Sequence, residues 1–370
     1  MRYVMLKEIC SINMGQSPNS ESYNENGEGV PFFQGNADFG ERYPMTRKWC
    51  TAPTKIANAE DILISVRAPI GAMNYAREEC CIGRGLAALT PDKTKVSSEF
   101  IFWLLKGKND ELNCKGTGST FKAIGRKVLE EILVPDIELK KQIEYSEIIE
   151  KVYAIIQIRK QEILKLDELI KARFVEMFGD PKYNKSDLVK IGEIGALTSG
   201  GTPSRAKPEY FEGDIRWYSA GELNSLYLPD SVEHISQMAL QQSSAKLFNK
   251  GTLMIGMYDT AAFKMGILTE DSSSNQACAN LNPRQGFNIV WLYYLFDIMK
   301  PVFLQERQGV RQKNLSLSKI KEFEVPFAPF ELQNQFADFV NQVDKSKVVV
   351  QEALDKTQLL FDSLMQKYFG

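Results

Sequence analysis

The chain has 370 residues, with 45 Lys+Arg against 47 Asp+Glu, for a formal net charge of −2. That length predicts two or three folded units, and a composition 44% hydrophobic and 11% aromatic excludes wholesale disorder. No run approaches the ~18 uninterrupted apolar residues of a membrane span, and the opening MRYVMLKEIC does not read as a signal peptide, so no membrane partner is expected.

In chain order, the first ~135 residues read as short strands broken by Gly and Pro. They begin with Tyr3-Val4-Met5-Leu6-Lys7-Glu8-Ile9 and the turn Gly15-Gln16-Ser17-Pro18. The aromatic pair Phe32-Phe33 before Gln34-Gly35 follows, then the apolar run Asp61 to Val66 and a helical stretch from Glu99 to Lys106. Val134-Pro135 opens about 40 residues free of Gly and Pro that end at Phe178-Gly179 and predict one long helix, 138–179.

The plan then repeats. Val325-Pro326 and Phe369-Gly370 recur 191 residues after Val134-Pro135 and Phe178-Gly179. Val189-Lys190-Ile191-Gly192-Glu193-Ile194 echoes the chain's start, and Ser199-Gly200-Gly201-Thr202-Pro203-Ser204 echoes the first turn. Trp217-Tyr218 precedes Ser219-Ala220-Gly221, and Gly251 to Gly256 is the second apolar run. The expected organisation is an α+β chain of two repeated mixed α/β globular units, 1–137 and 180–327, each followed by a long helix, 138–179 and 328–370.

Both helices carry an apolar seam stepping by three and four. It runs through Tyr145, Ile149, Val152, Ile156, Arg159, Ile163, Leu166, Ile170, Arg173 and Met177 in the first. In the second it runs through Phe336, Val340, Val343, Lys347, Val350, Leu354, Thr357, Phe361, Leu364 and Tyr368. A helix this long has no core of its own, and the alternative of two helices packed separately on their own domains is weaker than helix-on-helix pairing.

Neither globular unit is basic overall: residues 1–137 hold 17 basic and 17 acidic residues, and residues 181–327 hold 16 and 15. Charge is instead focused locally, which is what phosphate affinity follows. Residues 115–127 contain Lys115, Lys122, Arg126 and Lys127 beside Ser119 and Thr120, with no acid. Residues 307–321 contain Arg307, Gln308, Arg311, Gln312, Lys313, Lys319 and Lys321, also with no acid. Each alone reads as a solvated loop; their recurrence at one repeat position makes them candidate DNA contacts. Arg, Gln and Asn suit base edges, while Ser, Thr and backbone N–H groups suit phosphate. The Gly-rich turns (Gly15, Gln16, Ser17; Gly201, Thr202, Ser204, Arg205) are a second candidate set, equally readable as ordinary turns. Arg67 and Arg84 in the first unit, and Tyr258, Asn275 and Gln276 in the second, are weaker candidates.

Catalytic chemistry finds little support. The six cysteines form no CxxC, which predicts neither a disulfide framework nor a zinc site and fits a reducing cytoplasm. The single histidine, His234, lies in no nucleophile motif, and there is no GxxxxGK[ST], GxSxG or HExxH. Pro135-Asp136-Ile137-Glu138-Leu139-Lys140 holds the letters of a metal-dependent nuclease site, but there the Asp and the Glu-x-Lys come from different strands, and here they abut.

The ordered recurrence of these features resembles the specificity subunits of type I restriction–modification systems. Leu6-Lys7-Glu8-Ile9, Ile191-Gly192-Glu193-Ile194, Thr202-Pro203-Ser204, the basic loops and the Val-Pro junctions running into Gln142-Ile143 and Gln335-Phe336 carry the resemblance across nearly all 370 residues. It implies two target recognition domains, each reading one half of a split double-stranded DNA site. It also implies spacer helices that pair as an antiparallel coiled coil with pseudo-twofold symmetry. The implied partners are two adenine methyltransferase subunits and restriction/translocase subunits; S-adenosylmethionine, ATP and Mg belong to them, and this chain needs no cofactor and catalyses nothing. Two other classes share the pattern: a stand-alone bipartite DNA-binding regulator, and a coiled-coil structural protein with binding heads.

Overall fold

In each half a short opening strand pairs with the strand bearing the Val-Pro. Tyr3–Met5 runs antiparallel to Leu133–Pro135, placing Val4 opposite Val134. Leu188–Lys190 does the same with Glu324–Pro326, placing Val189 opposite Val325. The computed structural model describes residues 2–118, 122–184, 187–307 and 314–369. The chain divides into two compact units: Met1–Lys160 with Glu352–Gly370, and Gln161–Gln351. Each unit thus contains one globular body and a part of each long helix.

The first unit is built on an antiparallel sheet in the order Cys10–Met14, Leu86–Pro91, Ile62–Ser65, Met73–Tyr75. Ile62, Leu63 and Ile64 are all fully buried, so this strand is covered on both faces and reads as a continuous apolar run. A second sheet orders Tyr23–Asn24, Trp49–Cys50, Val30–Phe33, Cys80–Ile82 and Ile56–Ala57, with Val30–Phe33 and Cys80–Ile82 parallel. The expected helix is present as Ser98–Gly107, its N-terminus capped by the Ser97 hydroxyl, which accepts from the Phe100 N–H.

The second unit repeats the antiparallel sheet as Gly195–Ser199, Cys278–Pro283, Leu253–Gly256, Met265–Ile267. Its smaller sheet orders Glu233–Ile235, Ile215–Tyr218 and Ser273–Ser274. The helix equivalent to Ser98–Gly107 is the longer Ile289–Gln305, capped by Asn288. Its Trp291, Leu292, Leu295 and Phe296 join the core that includes Phe174 and Phe336 from the two long helices.

The long helices span Leu139–Phe178 and Phe330–Phe369. Every seam position is buried or half-buried, while Ile155, Ile158, Leu164, Val348, Val349 and Leu359 beside it are exposed. In the first unit Tyr145 stacks on Tyr368 with ring centroids 4.0 Å apart, and Tyr153 lies 6.0 Å from Phe361. In the second, Phe174 meets Phe336 edge-on at 5.2 Å, and Asp167 receives the Lys347 ammonium at 2.6 Å. Rising numbers on one helix meet falling numbers on the other, so the pairing is antiparallel in both units.

The polar intrusions are partnered in part: the Nε atoms of Arg159 and Arg173 are buried without a hydrogen-bond partner among the described residues. Lys347 also lies 3.5 Å from Asp344, the Thr357 hydroxyl donates to the Ala353 carbonyl at 2.7 Å, and Arg173 bonds Glu176 at 2.8 Å. One sequence correspondence is corrected: the counterpart of Gln142 is Gln333, fully buried, and not the exposed Gln335. Gln333, and not Gln335, keeps the offset of 191 from Gln142 that the Val-Pro junctions share.

Candidate nucleic-acid interface

In the first unit, strand ends from both sheets converge on one corner. The Gly15 N–H donates to the Leu86 carbonyl at 2.9 Å and the Gln16 N–H to the Ile82 carbonyl at 3.0 Å. Gly83 N–H reaches the Phe33 carbonyl at 2.8 Å, Gly85 N–H the Gln34 carbonyl at 3.2 Å, and Val66 N–H the Gly85 carbonyl at 2.9 Å. Ala68 N–H then reaches the Lys122 carbonyl at 3.1 Å, and Ile124 N–H the Val66 carbonyl at 2.9 Å. This chain of bonds gathers Gly15, Gln16, Ser17, Arg67, Arg84 and Lys122. The side chains of Gln16, Arg67, Arg84 and Lys122 are exposed.

The second unit repeats the same bonds with different side chains. Gly200 N–H donates to the Cys278 carbonyl at 3.1 Å and Gly201 N–H to the Ser274 carbonyl at 2.8 Å. Asn275 N–H reaches the Tyr218 carbonyl at 2.9 Å, Met257 N–H the Ala277 carbonyl at 2.9 Å, and Leu315 N–H the Met257 carbonyl at 2.8 Å. By these bonds Arg67 corresponds to Tyr258, Arg84 to Gln276, Ser17 to Thr202 and Gln34 to Ser219. The weak candidates of the sequence are thus equivalent positions on one frame. Around it, Thr202 donates from its hydroxyl to the Gln276 carbonyl oxygen, Ser244 bonds the Thr202 carbonyl at 3.5 Å, and Ser204 is exposed.

The glycines serve this frame. A Cβ on Gly15 would lie 2.2 Å from the Gly83 carbonyl oxygen, and one on Gly201 would lie 2.0 Å from that of Ser244. Their N–H groups donate to internal carbonyls, and at both glycines the chain approaches itself closely.

The cations divide into two groups. Lys115 pairs with Glu111 at 2.5 Å, Arg126 with Glu130 at 2.7 Å and Lys127 with Glu131 at 3.7 Å. Three of the four cations in the acid-free window 115–127 are therefore matched by acids one helical turn away, which its own composition hides. The hydrogen bond from Lys115 pulls the Glu111 carboxyl below its ordinary value. Arg67, Arg84 and Lys122 form no salt bridge among the described residues. In the second unit the Arg205 guanidinium forks onto both Glu233 carboxylate oxygens, one of them at 2.7 Å, and lies over Phe211 at 4.3 Å. That hydrogen bond raises the arginine's pKa and lowers the glutamate's. Arg307 donates from Nε to the Leu304 carbonyl at 3.0 Å, and Lys319 pairs with Glu306 at 2.9 Å.

Ser119, Thr120, Gln308, Arg311, Gln312 and Lys313 lie outside the described residues. Gln34, which follows the repeated aromatic pair and was not among the sequence candidates, is exposed at the first corner. Elsewhere, His234 Nε2 sits 3.1 Å from Asp230, Asp136 pairs with Arg2 at 3.5 Å, and no group of three or more potential metal ligands occurs among the described residues. All six cysteines are free, and no helix among the described residues is long and apolar enough to cross a membrane.

The model of the type I restriction modification DNA specificity domain matches residues 1–168 and 183–356. The MjaX specificity subunit of Methanocaldococcus jannaschii is 43% identical over 156 residues, 42% of this chain and 37% of that protein. The MjaIX specificity subunit of the same organism is 29% identical over 181 residues, 47% of this chain and 42% of that protein. The EcoR124I/EcoR124II specificity subunit of Escherichia coli is 22% identical over 175 residues, 45% and 43%. Each match thus spans about two fifths of the relative's length. Among solved structures, the type I S subunit from M. genitalium superposes with a TM-score of 0.60 at 15% identity, covering 100% of this chain and 96% of that one. A chain from a study of complex assembly and conformational transition of the type I R-M system gives 0.63 at 15% identity, covering 100% and 97%. These likenesses carry the fold.

Proposed function

The chain belongs to the family of the type I restriction modification DNA specificity domain, and from that premise we propose that it is the sequence-reading subunit of a type I restriction–modification complex. It binds a bipartite double-stranded DNA site through two target recognition domains, 1–137 and 180–327. The spacer helices 138–179 and 328–370 carry the docking surfaces for two adenine methyltransferase subunits and the restriction/translocase subunits, in the cytoplasm. The chain itself is non-catalytic; S-adenosylmethionine, ATP and Mg act in its partners.

One observation carries this reading: a single backbone frame recurs in both units while its exposed side chains differ. A constant frame with exchanged readers suits a protein that must position two similar domains on phosphates and read different bases with each. The basic loops that the sequence marks at residues 115–127 and 307–321 would supply Lys122 for phosphate and Arg311 and Gln312 for base edges.

The test is methyl transfer. The purified chain with S-adenosylmethionine and DNA is expected to transfer nothing until a methyltransferase subunit is added, and the assembled complex is expected to methylate adenines within a split motif. Turnover by the chain alone sinks the assignment. Arg311→Ala and Gln312→Ala are expected to relax one half of the motif only, each lost bidentate contact costing about 1–3 kcal/mol. If neither half changes, recognition lies elsewhere on the frame. A stand-alone regulator would bind the same split site without co-purifying a methyltransferase.

A further inference from the structure

We propose that Arg67 and Arg84 are the guanine-reading residues of the first unit, each taking one guanine in that unit's half of the DNA site. The inference rests on the DNA-recognition reading above and names the bases that the first corner takes.

Both arginines stand on backbone that the fold has pinned. Arg84 lies at the tip of the turn Gly83 to Leu86, closed by the Leu86 N–H on the Gly83 carbonyl at 3.0 Å. On either side of it, the Gly83 and Gly85 N–H groups donate to the Phe33 and Gln34 carbonyls. A Cβ on Gly85 would lie 2.5 Å from the Gln34 carbonyl oxygen, so the turn rests directly on that segment. Arg67 is bracketed by the Ile124 N–H on the Val66 carbonyl and the Ala68 N–H on the Lys122 carbonyl. The buried Ser65 hydroxyl donates to the carbonyl of Arg67 itself at 2.8 Å. Val66 is turned inward, 3% exposed, and its neighbour Arg67 is exposed. The Val66 N–H, 2.9 Å from the Gly85 carbonyl, ties the residue before Arg67 to the residue after Arg84.

Neither guanidinium is occupied. Among the described residues, Arg67 and Arg84 form no salt bridge and no side-chain hydrogen bond, which leaves five N–H donors open on each. Burial raises the Tyr23 pKa and the Arg84 charge opposes it, but the Tyr23 hydroxyl is committed to the Pro18 carbonyl at 2.9 Å. Two uncompensated like charges on neighbouring backbone repel each other, and an acceptor-rich ligand relieves that repulsion.

The second unit keeps the backbone and drops the charge. Gln276 lies at the tip of a turn closed by the Cys278 N–H on the Asn275 carbonyl at 3.2 Å, and the Met257 N–H supplies the tie to Ala277. Tyr258 and Gln276 hold the places of Arg67 and Arg84. Arginines required by the turn itself would recur with it, and these do not.

The chemistry selects guanine. Its major-groove edge presents two acceptors, O6 and N7, and a guanidinium offers paired N–H donors that meet both. Adenine places a donor where guanine has O6, and the pyrimidines lack the paired acceptors. Phosphate takes the same fork but only positions the protein, whereas a base edge demands closely fixed groups. Both arginines have the fixed backbone that such reading requires.

The experiment is selection on a randomised duplex library, with the full chain alone and assembled with methyltransferase subunits, and sequencing of the bound fraction. Wild type is expected to enrich a split motif with guanines in one half. Arg84→Ala is expected to lower the guanine preference at one of those positions by roughly tenfold or more. Arg67→Ala is expected to do the same at another position of the same half. Both side chains are exposed, and equal melting midpoints of wild type and variants exclude misfolding. Replacing the guanine that Arg84 reads by 7-deazaguanine, which lacks the N7 acceptor, is expected to weaken wild type several-fold and Arg84→Ala not at all. A phosphate contact or a merely structural arginine is blind to that change. Wild type indifferent to 7-deazaguanine at every motif guanine overturns the inference without any variant. So does a motif lacking guanine, a preference left intact by either alanine variant, losses in opposite halves, or binding weakened alike for all sequences. A wild type that enriches no motif in either form removes the recognition reading itself, and this inference with it.

Discussion

Gln142 and Gln333, 191 residues apart, make the same three hydrogen bonds. Gln142 Oε1 accepts from the N–H of Ser97, and its Nε2 donates to the carbonyls of Ile137 at 2.8 Å and Lys95 at 3.4 Å. Gln333 Oε1 accepts from the N–H of Asn288, and its Nε2 donates to Ala328 at 2.7 Å and Gly286 at 3.2 Å. Every partner is displaced by the same 191 positions, and Ser97 and Asn288 are the N-caps of Ser98–Gly107 and Ile289–Gln305. Each glutamine therefore ties the start of a long helix to the start of its unit's own helix.

Removing either amide strands one backbone N–H and two carbonyls at a site from which water is excluded. Gln142→Ala is expected to destabilise the protein by about 2–4 kcal/mol, since each unsatisfied buried group costs about 1–3 kcal/mol and part of the loss relaxes. Gln142→Glu is expected to be no better, because a carboxylate cannot donate to Ile137 or Lys95. Hydrogen exchange should locate the loss in residues 95–107 for Gln142→Ala and in 286–300 for Gln333→Ala. Protection unchanged in those segments would count against the tie.

The seam makes a separate prediction from two neighbouring isoleucines. Ile156 is 1% exposed and Ile158 is 56% exposed, on the same helix and two residues apart. Ile156→Asp leaves an unpaired charge among apolar side chains and should cost several kcal/mol. Ile158→Asp should fall within about 0.5 kcal/mol of wild type. Chemical denaturation of the two variants side by side is the measurement, and similar midpoints would contradict the packing.

The helices were legible because no insertion separates Val134 from Phe178 or Val325 from Phe369, so the offset stays constant and a period of seven survives in both copies. The antiparallel sense was not in the periodicity; it came with the family resemblance and is seen in Tyr145 against Tyr368. In the globular units the offset changes from 185 at Gly15 and Gly200 to 191 at Val66 and Met257, so the frame is recognisable only through its backbone bonds. The charge tally around Lys115 and Arg126 left out their ion-pair partners for a helical reason: residues four apart are neighbours, and a window cut at 115 and 127 excludes Glu111 and Glu130. Gln34 was passed over because an exposed glutamine has no pattern of its own. Its partner Ser17 is distant in sequence and in contact in the fold.

The cysteines give a prediction about accessible thiols. Cys10, Cys50, Cys80, Cys81 and Cys278 are buried and Cys114 is exposed. Burial pushes the thiols of Cys10, Cys80 and Cys278 up to about 12, so near pH 8 they hold almost no thiolate, the nucleophilic form. Native protein should titrate one fast thiol per chain, lost in Cys114→Ser, and all six only in denaturant. Fast labelling of Cys10 or Cys278 would show that their strands open readily.

The division of the cations into paired and unpaired gives the last prediction. Lys122 forms no salt bridge among the described residues, whereas Arg126 holds Glu130 at 2.7 Å. A cation that meets phosphate releases condensed counterions, and each such contact contributes about one unit to the slope of log affinity against log salt. Lys122→Ala should therefore weaken binding to all sequences alike and flatten the slope by about one unit. Arg126→Ala removes a charge already matched by a carboxylate, so the slope should change by much less. Pairing on an exposed helix is worth only about 0.3–0.5 kcal/mol, so Glu130 can be displaced by a phosphate if the two are brought together. Glu130→Gln separates these cases: it frees Arg126 without moving it, and steepens the slope only if phosphate lies within reach. Salt titrations of the full chain on one duplex decide between them. Equal losses of slope in Lys122→Ala and Arg126→Ala would mean that the ion pairs on this rim do not decide which cations meet the DNA.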